Sequence, residues 1–121
     1  MNRNQICRHA AARMNQRGLR KQDIDIVEIY GEFVDDDAIM LTYRHAAAAI
    51  KDAKTEIRRL QRWDQTPSVR AATARLKKRI NLLQKNTNTK IVLRDGVLVT
   101  AYRTSGKPMK RSTRRMREGF V

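Results

Sequence analysis

The strongest structural constraint in the sequence is the spacing of apolar side chains between positions 69 and 83. Five residues recur there at intervals of three or four, namely Val69, Thr73, Leu76, Ile80 and Leu83. This spacing keeps them on one face of an α-helix. Thr66 is a good N-cap, and Pro67 suits the first helical position. The segment therefore predicts an amphipathic helix that begins at Pro67.

A second apolar stripe precedes this helix. Its members are again three or four residues apart: Ala46, Ile50, Ala53, Ile57 and Leu60. The pattern breaks near Trp63-Asp64-Gln65, so residues 44–86 predict two antiparallel helices that pair through their stripes. The other face of the later helix is predicted to bind nucleic acid because it is basic. It carries Arg70, Arg75, Lys77, Lys78 and Arg79.

Two β-hairpins are predicted on either side of this helical hairpin. The first spans residues 32–43 and turns at Asp35-Asp36-Asp37, with its second strand running from Ala38 to Tyr43. The second turns at Asp95-Gly96, a dipeptide that supplies the positive φ angles of a type I′ turn.

A two-residue turn fixes the register of the second hairpin. Three cross-strand pairs are expected: Arg94 with Val97, Ile91 with Thr100, and Thr89 with Tyr102. Alternation along the last strand assigns Leu98, Thr100 and Tyr102 to one face. The other face is assigned Val97, Val99, Ala101 and Arg103.

The N-terminal part of the chain predicts two further helices. The first runs to about Arg17 and ends at Gly18, and the second uses Ile24, Val27 and Tyr30 and ends at Gly31. Ile26 and Ile29 are expected to add apolar contacts to the second helix. Residues 1–105 are interpreted as one domain, and residues 106–121 as a basic tail. That tail is either a last helix over 109–118 or a segment that orders only on binding.

The net charge of +15 is large for 121 residues and favours a polyanionic partner. Seven of the twelve acidic residues fall between Asp23 and Asp37, which leaves the rest of the chain more basic still. This polarity suggests one nucleic-acid face and one face turned away from it. The sequence has no long apolar run, signal peptide or aromatic-rich amphipathic segment, so no membrane role is predicted. Cys7 is the sole cysteine, which fits a reducing cytoplasm.

His9, Arg13 and Arg17 are four residues apart on the first predicted helix. They either line a phosphate-binding cleft or form a solvated basic face. His9 is the better candidate for a general base, and His45 ranks below it. Asp35-Asp36-Asp37 is the only dense acidic group, and such a group is usually just a turn. No metal or cofactor is predicted, because no P-loop, GxSxG, HExxH or zinc-finger spacing is present.

Tyr102, near the end of the last predicted strand, has three possible roles. It could stack on a base, donate a proton, or only pack with its hydroxyl at the rim. Aromatic residues make up just 5% of the chain. A platform of several stacked bases is therefore not expected.

Several short motifs in the outer parts of the chain resemble a bacterial family of small, largely uncharacterised proteins. The motifs are Arg8-His9-Ala10, Arg13-Met14, Gln16-Arg17-Gly18, Tyr30-Gly31-Glu32, Asp95-Gly96 and Val99-Thr100-Ala101-Tyr102-Arg103. That family is compared with RelE-like ribonuclease toxins of the barnase/EndoU/colicin/RelE superfamily. Residues 51–85 have no counterpart in the resemblance.

The resemblance implies an α+β fold in which N-terminal helices pack on a small antiparallel sheet. The chain departs from the family by its basic tail and by the helical hairpin, which its own periodicity predicts between the two β-hairpins. The resemblance also implies a metal-independent RNA-cleaving site between the helices and the sheet. The residues that match this site are His9, Arg13, Arg17, Thr100, Tyr102 and Arg103. Membership in such a superfamily does not establish activity, since fold and function are separable.

Three functional hypotheses follow. The first is a ribonuclease in which His9 or Tyr102 moves protons while Arg13, Arg17 and Arg103 hold the phosphate. Under this hypothesis, the basic tail binds the RNA backbone through Lys107, Lys110, Arg111, Arg114, Arg115 and Arg117. The second is a non-catalytic accessory or regulatory protein that binds RNA or DNA. The third is a partner of an acidic protein, such as an antitoxin or inhibitor that masks the basic face.

Overall fold

Three helices and a four-stranded antiparallel sheet make up the part of the protein that a computed structural model describes, which is Arg8 and residues 18–104. The fold is α+β, as expected. Its elements in chain order are α1 (Lys21–Tyr30), β1 (Glu32–Asp35), β2 (Ala38–Met40), α2 (Tyr43–Leu60), α3 (Pro67–Lys85), β3 (Thr89–Arg94) and β4 (Val97–Arg103). The first predicted helix, apart from Arg8, and the basic tail lie outside the described residues.

The helical hairpin forms as its apolar stripes and the Thr66 cap predict. The Thr42 hydroxyl accepts a hydrogen bond from the backbone N–H of His45 at 3.3 Å, and Thr66 does the same for Val69 at 3.2 Å. Pro67 occupies the first turn of α3. The two helices pack along each other through the predicted stripes, which are buried at all positions except Val69 and Thr73, where they are half-buried.

Helix α1 is the predicted second helix, and it packs against β2, β3 and the hairpin helices. Val27 and Ile24 are buried, whereas Ile29 is 57% exposed, so its expected packing role was wrong. The helix ends at Gly31, whose N–H donates to the Val27 carbonyl at 2.8 Å. Upstream of α1, Gly18 has a φ of 69°, the left-handed conformation that commonly follows a helix.

The strands join in the order β1-β2-β3-β4, so the two β-hairpins form one sheet. Ile39, Ile91 and Ala101 are in register across three strands, and all three are buried in the core shared with α1. The second strand of the first hairpin ends at Met40 rather than at Tyr43. This prediction was wrong because Thr42 caps α2 and Tyr43 is already helical.

The last hairpin confirms the predicted turn and corrects the register beyond it. Asp95 and Gly96 have φ angles of 52° and 79°, as a type I′ turn requires, and Arg94 pairs with Val97. A β-bulge then leaves Val99 without a direct cross-strand partner. Two expected pairs were therefore wrong by one residue. Ile91 lies opposite Ala101 instead of Thr100, and Thr89 lies opposite Arg103 instead of Tyr102.

Candidate nucleic-acid interface

Helix α3 presents the densest run of positive charge in the described structure. Over its 19 residues it has six Lys or Arg and no Asp or Glu. Five of the bases are exposed, namely Arg70, Arg75, Lys77, Lys78 and Arg79, and we call them the basic surface of α3. Ser68, Ala71 and Ala74 are also exposed between them. These short side chains would allow the backbone of a polyanion to approach the helix closely.

The five bases differ in their surroundings. Arg70 donates from Nη1 to the Gln65 carbonyl at 2.6 Å, so it also holds the loop between α2 and α3. Arg79 lies over the Tyr30 ring, 5.9 Å from its centroid. Arg75, Lys77 and Lys78 are in none of the ion pairs that we find within residues 18–104. They are the part of the surface that is most available to a ligand.

Acidic residues of the N-terminal cluster form ion pairs away from these three bases. Glu32 pairs with Arg44 at 3.2 Å and Asp35 with Lys90 at 3.2 Å. Two more pairs, at 3.4 Å and 3.8 Å, join Asp23 to Lys85 and Asp37 to Arg94. The acidic cluster therefore offsets charge on the sheet and at helix ends, which leaves the exposed part of α3 basic.

Helix α2 adds a second basic stripe that sequence analysis overlooked. Arg44, Lys51 and Arg58 are exposed and follow one another at seven-residue intervals, which places them along one side of the helix. The heptad spacing was visible in the sequence. It is less obvious than the apolar stripe because the same helix also carries the acidic Asp52 and Glu56 on another side.

The predicted catalytic residues are only partly within the described structure. His9, Arg13 and Arg17 lie outside it, as do all six basic residues of the tail. Thr100 and Tyr102 are half-buried on one face of β4, where they lie opposite Val92 and Lys90. Arg103 pairs with the buried Thr89, and its own side chain is exposed. Strand alternation therefore directs Arg103 to the opposite face from Thr100 and Tyr102.

The bulge also changes which residues share a face of β4. Leu98 and Ala101 are both 1% exposed and lie in the same core, so Leu98 is on the opposite face from Thr100 and Tyr102. The predicted grouping of Leu98 with these two residues was wrong, because Val99 interrupts the alternation. Next to Tyr102, a hydrogen bond to Asp35 raises the pKa of Lys90, and the Tyr102 hydroxyl adds to this shift.

A polar cluster forms around Glu32 at the N-terminus of α2. The Thr42 hydroxyl donates to Glu32 Oε2 at 3.0 Å, and His45 Nδ1 contacts the same oxygen. Hydrogen bonds from Thr42 and then from Arg44 lower the pKa of Glu32 below its ordinary value. A carboxylate beside Nδ1 favours the tautomer that carries its hydrogen on Nδ1. His45 ranked below His9 in the sequence because it could equally be a surface residue at the start of a helix, and its contact with Glu32 of β1 was not visible there.

His45 also lines a cleft of about 530 Å³ between α1, α2 and α3. The charged and aromatic groups around this cleft are Tyr30, Asp52, Glu56 and Arg79. The cleft is thus lined by an imidazole, a phenol, a guanidinium and two carboxylates, together with small side chains such as Ala49 and Ala53.

Comparison of the chain with protein-family models, with curated proteins and with solved structures found no match. Within residues 18–104, no three His, Cys, Asp or Glu side chains are grouped in a way that could hold a metal ion. None of the helices in the same range is long and apolar enough to cross a membrane.

Proposed function

We propose that the protein binds nucleic acid, with RNA preferred over DNA, through the basic surface of α3. The observation that carries this proposal is the absence of any acidic residue along 19 residues of an exposed helix that has six bases. A phosphate backbone bound there would release its condensed counterions, which provides most of the affinity for such ligands. The preference for RNA is supported by the resemblance to RelE-like ribonucleases.

Salt dependence tests this proposal. Each phosphate neutralised by the protein contributes a slope of about −0.7 to log K against log salt concentration for single strands. Lys77→Gln with Lys78→Gln should reduce the magnitude of the slope by roughly 1 to 1.5, measured by fluorescence anisotropy with a labelled RNA oligonucleotide. Binding that does not respond to salt would contradict the proposal.

A second double variant controls for the loss of net charge. Lys21→Gln with Arg94→Gln removes two positive charges from exposed positions outside the helical hairpin. This variant should keep the slope of the native protein. Equal effects of both double variants would indicate general attraction to a basic protein rather than binding at α3.

Metal-independent RNA cleavage is a second candidate activity. It is supported by the motif resemblance, by Tyr102 and Thr100 on one face of β4, and by the contact between His45 and Glu32. Incubation of the protein with total RNA in excess EDTA should then yield discrete fragments that end in a cyclic phosphate. Binding without such fragments would favour a non-catalytic accessory or regulatory role.

A pair of single variants separates cleavage from binding. Arg13→Ala should abolish cleavage and leave affinity nearly intact, because a group that acts in the transition state affects turnover more than binding. Lys78→Ala should do the reverse. His9→Ala should lower the rate by about 10² to 10⁴ if His9 is the general base. Thermal melts of each variant confirm that it is folded. Equal activity of all three would contradict a site on the N-terminal helix.

The same basic surface also fits an acidic protein, such as an antitoxin or inhibitor, which would compete with nucleic acid for it. This partner is compatible with either activity. It would be detected as a protein that displaces the labelled RNA from the native chain and loses affinity for the Lys77→Gln/Lys78→Gln variant.

A further inference from the structure

The loop between α2 and α3 exposes the only tryptophan of the chain. Trp63 is 53% exposed, although tryptophan is usually well covered in a folded protein. It lies just beyond the last turn of α2, where its backbone N–H donates to the Leu60 carbonyl at 3.1 Å. The loop therefore places an indole ring at the outer end of the helical hairpin.

One contact holds the ring itself, and two hydrogen bonds hold the backbone of its loop. The Arg59 guanidinium lies over the ring, 5.2 Å from its centroid, and Arg59 is itself held by hydrogen bonds to the Glu56 carboxylate. Gln65 donates to the Trp63 carbonyl at 2.8 Å. Arg70 in turn donates to the Gln65 carbonyl at 2.6 Å. The indole thus belongs to a fixed loop, which reduces the entropy that a ligand would have to offset on binding.

The charges around the ring favour a polyanion. Arg58, Arg62 and Arg70 are exposed near the loop, whereas Asp64 is its only acidic residue. Unstacked bases bind proteins by stacking on aromatic rings and arginine planes, with nearby bases on the protein contacting the phosphates. An exposed tryptophan is also a common anchor for protein partners. The surplus of arginine makes nucleic acid the better fit.

We infer that Trp63 stacks on an unpaired base of a single-stranded nucleic acid, while Arg58, Arg62 and Arg70 contact the adjoining phosphates. This inference rests on the proposed nucleic-acid binding and assigns it a single-stranded substrate and a contact point. This site shares Arg70 with the basic surface of α3. It differs from that surface because Trp63 binds the flat face of a base, which a polyanion without bases does not have.

Intrinsic fluorescence tests the inference directly, because Trp63 is the only source of tryptophan emission in the full chain. Titration with an oligouridylate should quench this emission as the complex forms. Inorganic polyphosphate, a polyanion without bases, should bind without comparable quenching. Equal quenching by both ligands would overturn the inference, since charge alone would then explain the signal.

Affinity measurements with two matched variants complete the test. Trp63→Leu should weaken oligouridylate binding about fivefold or more and leave polyphosphate binding unchanged. Phe33→Leu removes another exposed aromatic ring, on β1, and should alter neither affinity. Normal binding of oligouridylate by Trp63→Leu would overturn the inference while the proposed function stands. If the native chain binds neither ligand, both the inference and the proposed function are contradicted.

Discussion

Asp23 is fully buried near the start of α1, yet its surroundings favour the charged carboxylate. Burial raises the pKa of Asp23, but hydrogen bonds from Asn86 at 2.8 Å and from the Arg20 N–H at 2.7 Å outweigh it. The positive charge of Lys85 acts in the same direction, and the net pKa lies below the ordinary value. One side chain therefore ties the beginning of α1 to the end of α3.

Replacement of Asp23 should reveal this role. Asp23→Asn replaces a carboxylate oxygen with an amide NH₂ group, which faces the donors of Asn86 and Arg20. A buried donor left without an acceptor lowers the free energy of unfolding by about 1–3 kcal/mol. Because the folded state lowers the pKa of Asp23, its stabilising effect is present above the unfolded pKa and is lost as the pH falls through the folded pKa. Melting temperatures from pH 7 to pH 2 should therefore decline less for Asp23→Asn than for the native protein.

Asp25→Asn is the matched control, since it makes the same change on the same helix at a half-buried position. It should leave the melting temperature at pH 7 within a degree or two of the native value, as expected for a surface change. A drop as large as that of Asp23→Asn would mean that net charge, not the buried network, accounts for the loss.

Individual polar contacts were the least predictable from the sequence. His45 and Trp63 were both visible as residue types, but their contacts depend on Glu32 of β1 and on the loop geometry set by Gln65 and Arg70. The buried partner of Asp23, Asn86, lies 63 positions away in the chain. Periodicity describes neighbours within one element, so it contains no information about these pairs.

At the scale of elements, the close approach of α1 to the first β-hairpin depends on Gly31. A Cβ added there would lie 2.5 Å from the Val27 carbonyl oxygen and 2.8 Å from that of Met40. Gly31→Ala should destabilise the protein by about 1–3 kcal/mol, because backbone atoms must move to make room. Urea unfolding followed by circular dichroism measures this change. A loss below about 0.5 kcal/mol would contradict the proposed clash.

Helices and turns were predictable because each depends on a local signal. Thr66 caps α3 and Asp95-Gly96 turns the last hairpin, as the sequence predicts. The Thr42 cap of α2 was missed, because that residue was assigned to a strand. The bulge at Val99 was not predictable in this way. It brings Leu98 and Ala101 onto the same buried face, so its cause is the packing of the core rather than the alternation within the strand.

Across the whole molecule, the helical hairpin concentrates the positive charge. From Tyr43 to Lys85 there are twelve Lys or Arg and three Asp or Glu. The acidic cluster near the N-terminus pairs with Lys90 and Arg94 on the sheet and, within the hairpin, with Arg44 and Lys85 at its two ends. The charge polarity expected from the sequence is thus realised as a basic hairpin beside a sheet with locally paired charges.

The hydrogen bonds at the base of that hairpin have a consequence for the order of folding. Leu41 accepts from the Asn88 N–H at 2.7 Å and donates to the Thr89 carbonyl at 3.0 Å, although the whole hairpin separates them in the chain. Contacts between neighbouring segments form sooner than distant ones, because loop closure costs entropy. Pairing of α2 with α3 brings β2 and β3 together and lowers that cost. We therefore expect the basic helical hairpin to form before the sheet during folding.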